Sequence, residues 1–279
     1  MSLHKQLIGS HPITPYIFER WLNCTDIEPT DERCYRSLNP KIPSTDPDLI
    51  QWLGQKLVHH HYDENRIQKL KQKFTELGFP EYAEQHRKLP RADKTKKGNA
   101  TEILLIEYIE SCQNKALIKA YKLRYNPNVD QAIKGDDMLL VDILTNQQGS
   151  EEVKLYLGEA KFRKTPTKTI VDTISEALGK EKLPLSYSFL VDELNRKDES
   201  KAIADLLDKF LVKEIKDKGN ICYTGFLLSN TDTFKVVDTH FKSDNPTLIL
   251  ISIGIENPED LINEAFKKAE EMIANPTSL

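Results

Sequence analysis

The chain has 279 residues, with 39 Lys+Arg against 43 Asp+Glu, a net charge of −4 and a sequence pI of about 6.0. Apolar residues at 39% and charged residues at 29% make a globular rather than a disordered composition, long enough for one large core or two modest ones. The charge balance excludes a strongly basic nucleic-acid coat and predicts weak unaided binding to DNA. No stretch approaches the roughly 20 apolar residues of a membrane span, and Met1-Ser2-Leu3-His4-Lys5 opens no apolar run of signal-peptide length. Cys24, Cys34, Cys112 and Cys222 form no CxxC pair and are expected to be reduced, partly buried thiols of a cytoplasmic protein.

The first 45 residues hold many prolines and polar residues and read as an irregular lead-in with short strands. A helix is expected from Asp46-Pro47, with proline in its first turn and Leu49, Ile50, Trp52, Leu53 and Leu57 on its apolar face. A second runs from about Asp63, carries Ile67, Leu70, Phe74 and Leu77, and ends at Gly78-Phe79-Pro80. The basic stretch from His86 to Lys97 reads as a loop and a boundary between a mainly helical region (1–90) and an α/β domain (91–279). There a helix is expected over Ala100–Cys112, a strand over 115–124 with a helix as the alternative, and strands at Met138–Leu144 and Val153–Phe162 around a turn at Asn146-Gln147-Gln148-Gly149. Helices at Thr167–Leu183 and Ser200–Lys216, buried strands at Ile221–Leu228 and Thr247–Ile255, and a last helix from Asn257-Pro258 to Ala274 complete the pattern. This order predicts an α/β (α+β) fold, a mixed central sheet flanked by helices.

One constellation carries chemistry: Gly135-Asp136-Asp137-Met138, then Gly158-Glu159-Ala160-Lys161. A hairpin centred near Gln148 places Asp137 opposite Glu159, with opposed Cβ atoms roughly 4.5–5.5 Å apart. Side-chain alternation puts Lys161 on the face of Glu159, together with Leu139, Val141, Ile143, Leu155 and Leu157. Two opposed carboxylates at the end of an apolar face repel one another unless a divalent cation or a lysine lies between them. Carboxylates with water are the hard oxygen ligands of Mg²⁺, which binds phosphate and acidifies a coordinated water. Lys161 is placed to orient the attacking water and stabilise the developing charge. The bland alternative is a surface Asp–Lys–Glu cluster on an edge hairpin.

The Asp and Glu-Ala-Lys pair resembles the PD-(D/E)xK, or restriction-endonuclease-like, superfamily, in which the Asp begins the second core strand and E-x-K lies on the third. Gly135-Asp136-Asp137 stands where the superfamily has Pro-Asp, so the resemblance leaves both aspartates open: hairpin parity favours Asp137, and a one-residue bulge would favour Asp136. Glu102, on the helix before the first core strand, matches the further acidic position of many members. It equally suits a capping box with Asn99 at a helix N-terminus. More narrowly, Lys134-Gly135-Asp136-Asp137-Met138 and Gly158-Glu159-Ala160-Lys161-Phe162, a helical N-terminal part and the length resemble the HamA family of nuclease subunits of the Hachiman antiphage defence system. The resemblance implies a restriction-endonuclease-like core and a Mg²⁺-dependent (Mn²⁺ possible) deoxyribonuclease. Asp137 or Asp136 and Glu159 would bind metal, with Glu102 as an outer metal or water ligand and Lys161 assisting the water. It also implies a HamB-like helicase partner.

Other features weigh less. His59-His60-His61 has no second ligand set and suits a helix C-terminus. The 86–97 stretch either contacts phosphates or is a solvated linker. Lys154, Arg163, Lys164 and Lys168 flank the proposed site and are candidates for phosphate contact. No Walker A or G-x-G-x-x-G sequence is present, so no nucleotide site is expected in this chain. The competing function is a catalytically silent module that uses a nuclease fold to hold nucleic acid or a partner; RNA cleavage is a second enzymatic alternative.

Overall fold

The computed structural model describes the chain except for residues 63, 80–88, 126–127, 132–134, 146–148, 150, 180–185, 197–199, 214–219 and 275–279, and except for the side chains of 64–67, 70–71 and 209–213. The expected turn at 146–148, the basic residues 86–88, Lys134, and the expected helix ends beyond 179 and 213 lie outside the described residues.

The elements run α1 (Leu3–Ile8), α2 (Ile17–Trp21), β1 (Leu22–Thr30), β2 (Arg33–Pro40), α3 (Pro47–His61), α4 (Glu64–Glu76) and α5 (Asp93–Gln113). A 3₁₀ turn (Lys122–Tyr125) precedes β3 (Met138–Thr145), β4 (Glu151–Phe162), α6 (Lys168–Gly179), α7 (Tyr187–Asn195), α8 (Lys201–Lys213), β5 (Ile221–Ser229), α9 (Thr233–His240), β6 (Leu248–Gly254) and α10 (Pro258–Ala274). The six strands form one sheet of order β1-β2-β6-β5-β4-β3. Strands β2, β6, β5 and β4 run parallel, and β1 and β3 close the two edges antiparallel. This is the mixed, helix-flanked sheet that the element order predicts. Strands from both sides of residue 90 share it.

Helices cover both faces. On one, Phe18, Trp21, Leu53, Leu104, Tyr108 and Phe266 from α2, α3, α5 and α10 pack against Leu140, Tyr156, Phe226 and Ile251. On the other, Ile174, Leu190 and Leu207 from α6, α7 and α8 pack against Val141, Leu155, Leu157 and Leu227. Burial on both faces explains why β5 and β6 are continuous apolar runs in which every residue is buried. It also adds to the one-faced picture of the β3–β4 hairpin: Leu139, Val141, Leu155 and Leu157 bury on the expected face, while Met138, Leu140, Tyr156 and Ala160 bury on the other.

The structure corrects several local expectations. The lead-in is two short helices, α1 and α2, followed by an antiparallel pair of strands, nine and eight residues long, with a register shift between Ile27 and Thr30 and a turn at Asp31-Glu32. Edge strand β1 is half exposed, and its polar and proline content hides it from a periodicity reading. Residues 115–124 are not a strand. Ile118 alone exchanges two 2.9 Å backbone hydrogen bonds with Val141, and the chain then tightens into the 3₁₀ turn. Helix α5 starts at Asp93, seven residues before the expected Ala100. Its start is anchored from a distance: the Asp130 carboxylate accepts from the N–H groups of Arg91 and Ala92, just ahead of the helix, and the Asp130 carbonyl accepts from the Thr95 hydroxyl in the first turn. The stretch Asp93–Lys97 is therefore helical rather than a linker. Helices α7 and α9 were not expected from the sequence.

Candidate active site

The β3–β4 register is the one a hairpin centred near Gln148 requires: Met138 pairs with Gly158, Leu139 with Leu157, and so on to Thr145 with Glu151. Asp137 immediately precedes β3, and its Oδ2 accepts the backbone N–H of Ala160 at 2.9 Å. That bond seats the carboxylate between Glu159 and Lys161. Lys161 Nζ is 3.8 Å from Asp137 Oδ2 and makes a short hydrogen bond to Glu159 Oε1. Three residues distant in sequence role thus meet because strand pairing brings them there.

Helix α5 adds Glu102. With the helix beginning at Asp93, Asn99 lies in its second turn and donates to His61 Nε2 at 2.9 Å. The capping-box reading of Glu102 therefore falls away. Its carboxylate turns instead to Lys122 on the 3₁₀ turn, with Oε2 and Nζ 2.9 Å apart. The Oε2 atom is buried, and the Lys122 ammonium is the charge that faces it. Lys122 also lies 3.8 Å from Asp137 Oδ1 and donates to the Asp136 carbonyl at 2.9 Å. A narrow pocket of about 30 Å³, room for one or two waters, is lined by Glu102, Lys122, Asp136, Asp137 and Ser186 among others.

Asp136 points elsewhere. Its Oδ2 accepts the N–H of Ser186 at 2.8 Å, and its own N–H donates to Ser186 Oγ at 3.1 Å, which clasps the loop to the start of α7. Of the two aspartates, Asp137 is the one beside Glu159 and Lys161.

Burial dominates the electrostatics. It pushes the Glu102 carboxyl up to about 7, with the Asp137 charge adding to the rise and Lys122 opposing it. Asp137 is also raised, first by burial and then by Glu159, against the pull of Lys122, the Ala160 N–H and Lys161. The donor set is all hard oxygen. Among the described residues no three Asp, Glu, His or Cys side chains converge on one point as a ready-made metal cage. Mg²⁺ does not require one, since it is commonly held by one or two carboxylates plus waters and substrate phosphate. Asp137, which accepts one backbone hydrogen bond, and Glu159 fit as that pair, and the buried carboxylate of Glu102 fits as an outer acceptor of a metal-bound water.

Lys122, Ser186 and the Ala160 N–H are absent from the sequence-derived set. Lys122 lies in a segment without periodicity, and only the fold reveals its neighbours. The discounted histidines are structural. His60 Nε2 bonds Glu107 Oε1 at 2.8 Å, His61 Nδ1 bonds the Leu57 carbonyl at 2.8 Å, and His59 Nε2 bonds the Tyr121 hydroxyl at 2.8 Å. Lys154 is removed from the phosphate-contact candidates, because its ammonium donates to the carbonyls of Gln6 and Leu7. Lys164 pairs with Glu259 at 3.1 Å and Lys168 with Asp172 at 2.9 Å. The four cysteines are unpaired thiols, and among the described residues no helix is long and apolar enough to cross a membrane.

Comparison with known proteins places the chain in a family. The family model described as HamA matches residues 15–269. The Hachiman protein HamA of Bacillus cereus is 37% identical over 277 residues, covering 97% of this chain and 96% of that protein.

Proposed function

The chain belongs to the HamA family, and from that membership together with its carboxylate–lysine cluster we propose that it is a Mg²⁺-dependent nuclease that hydrolyses DNA phosphodiesters beside a helicase subunit in antiphage defence. The observation that carries the reading is the meeting of Asp137 with Glu159 and Lys161 at the end of the β3–β4 pair, fastened by the Ala160 N–H.

Asp137 and Glu159 would hold the ion, and Mn²⁺ would serve in place of Mg²⁺. When bound, the metal supplies Lewis-acid polarisation of the scissile phosphate and a water of lowered pKa. Lys161 orients the attacking water and offsets negative charge that develops on the phosphoryl oxygens. Glu102 accepts a hydrogen bond from a water in the narrow pocket. Asp136 positions Asp137 through its clasp on Ser186. The net charge of −4 offers little general attraction for DNA, so delivery of substrate falls to the HamB-like helicase partner.

The test is cleavage of plasmid and linear DNA, with an RNA arm, in Mg²⁺ or Mn²⁺, alone and with the helicase subunit. Glu159→Ala and Lys161→Ala should each abolish metal-dependent cutting. Equal cutting by wild type and variants would sink the site assignment. Absence of cutting of any substrate with the partner present and active would favour a silent binding module, a reading with its own support in the lysines that already pair the site's carboxylates.

A further inference from the structure

Lys122 is the cation about which the inner part of the site is built. Its ammonium lies 2.9 Å from Glu102 Oε2, 2.9 Å from the Asp136 carbonyl oxygen and 3.8 Å from Asp137 Oδ1. Its side chain is 16% exposed, against 15% for Glu102 and 17% for Asp137, so all three groups are screened from bulk water together. Three oxygens from two segments, α5 and the Asp136-Asp137 loop, converge on one nitrogen. The contact with Glu102 pairs a buried carboxylate oxygen with the ammonium charge at 2.9 Å. The outer half of the cluster differs. There Lys161 bonds Glu159, and Asp137 faces both lysines at 3.8 Å, close enough for attraction and too far for a hydrogen bond.

We propose that Lys122 is a resident cation that takes the place of a second divalent ion between Glu102 and Asp137, so that the site accepts one metal ion, on the Asp137–Glu159 side, and Lys122 competes with that ion for Asp137. Lys122 is thereby a positioning residue: it holds Glu102 and Asp137 together when no metal is bound and sets how tightly the site takes one. Without it, Glu102 and Asp137 repel each other across a pocket with room for an ion and little else. The inference rests on the metal-dependent reading above, and its test separates the two.

The experiment is equilibrium Mn²⁺ binding, followed by electron paramagnetic resonance and calorimetry, on the full chain and its Lys122→Met, Lys122→Arg, Glu102→Gln and Glu159→Gln variants. Wild type should bind one Mn²⁺, and Glu159→Gln should lose it. Removing a unit charge about 4 Å from the ligand should make Lys122→Met bind Mn²⁺ at least about tenfold tighter or take up a second ion. Lys122→Arg, which keeps the charge, should return to wild-type stoichiometry and affinity. Melting curves should show Lys122→Met less stable than wild type without metal and regaining the loss with Mn²⁺. If Lys122→Met does not fold, Glu102→Gln carries the test. By releasing Lys122 towards Asp137, it should weaken Mn²⁺ binding several-fold. Unchanged or weaker binding by Lys122→Met, or unchanged binding by Glu102→Gln, overturns the role of Lys122 and leaves the metal site standing. No Mn²⁺ binding by wild type overturns the metal reading itself, and this inference with it.

Discussion

The Asp137 carboxylate is tied to the opposite strand by the backbone N–H of Ala160, 2.9 Å from its Oδ2. The donor belongs to the residue between Glu159 and Lys161, so one hydrogen bond sets the position of Asp137 relative to both. Asparagine at this position still accepts that bond but carries no charge. Asp137→Asn should therefore lose Mn²⁺ binding and DNA cleavage while melting within a few degrees of wild type. Asp137→Ala should lose both functions and also about 1–2 kcal/mol of stability, because the Ala160 N–H goes unpaired. Urea denaturation and metal binding on the two variants check the difference. Retention of metal binding by Asp137→Asn would exclude the carboxylate as a ligand.

Glu102 gives the metal-free protein a pH dependence of definite sign. Its folded value, raised to about 7, lies above the ordinary 4.5. Between those values the folded protein keeps a proton that the unfolded chain releases. The associated stability is complete below about 4.5 and is lost as pH rises through 7, on the order of 3 kcal/mol. His60 and His61, held near 4 by burial, act in the opposite direction as pH rises through 4–6.5. The informative measurement is therefore the difference in unfolding free energy between Glu102→Gln and wild type at pH 5 and pH 8. The variant should gain on wild type at pH 8. An equal difference at both pH values would show that Glu102 titrates normally.

The parts of the fold set by local pattern were legible, and those set by distant partners were not. The β3–β4 register followed from alternating leucines and valines around a polar turn, since a slip by one residue would turn Leu139 and Val141 from one helical layer to the other. Helix α3 announced itself through Asp46, which caps the Leu49 N–H at 3.0 Å, and Pro47. The start of α5 did not, because the residues leading into it are held by Asp130, a residue 37 positions past Asp93 that no local signal connects to it. The same limit hid Lys122: a lysine in an aperiodic segment acquires meaning only when α5 and the Asp136-Asp137 loop are folded around it.

Asp136 and Ser186 should behave as a clasp rather than as ligands. Each uses its backbone N–H and its side chain towards the other, at 2.8 and 3.1 Å, and Gly135 with φ of 130° lets the chain pass Ser186 closely. A Cβ at Gly135 would lie 2.9 Å from Ser186 Oγ. Asp136→Ala removes the acceptor of the Ser186 N–H and Ser186→Ala the acceptor of the Asp136 N–H, so each should cost about 1 kcal/mol and the double variant should lose both bonds. Mn²⁺ affinity should fall far less in Asp136→Ala than in Asp137→Asn. The reverse order would transfer the ligand role to Asp136.

Gly225 pairs with Glu159 across β4 and β5, and its missing side chain is what lets α6 approach this end of the sheet. A Cβ there would come within 2.5 Å of Ile174 Cγ2 on α6 and 2.8 Å of Leu250 Cδ1 on β6. Both neighbours are fully buried, so neither swings away into solvent. Gly225→Ala should cost about 1–3 kcal/mol by overpacking, and the displacement should reach Glu159, lowering cleavage and Mn²⁺ affinity together. Ile174→Ala alone removes buried methyl groups and should cost about 2–5 kcal/mol. In the double variant the new methyl occupies part of the space that Ile174 vacates. Its loss of stability should be smaller than the sum of the two single losses, with metal affinity partly restored. Strict additivity in a denaturant double-mutant cycle would show that α6 does not press on the strand at this point.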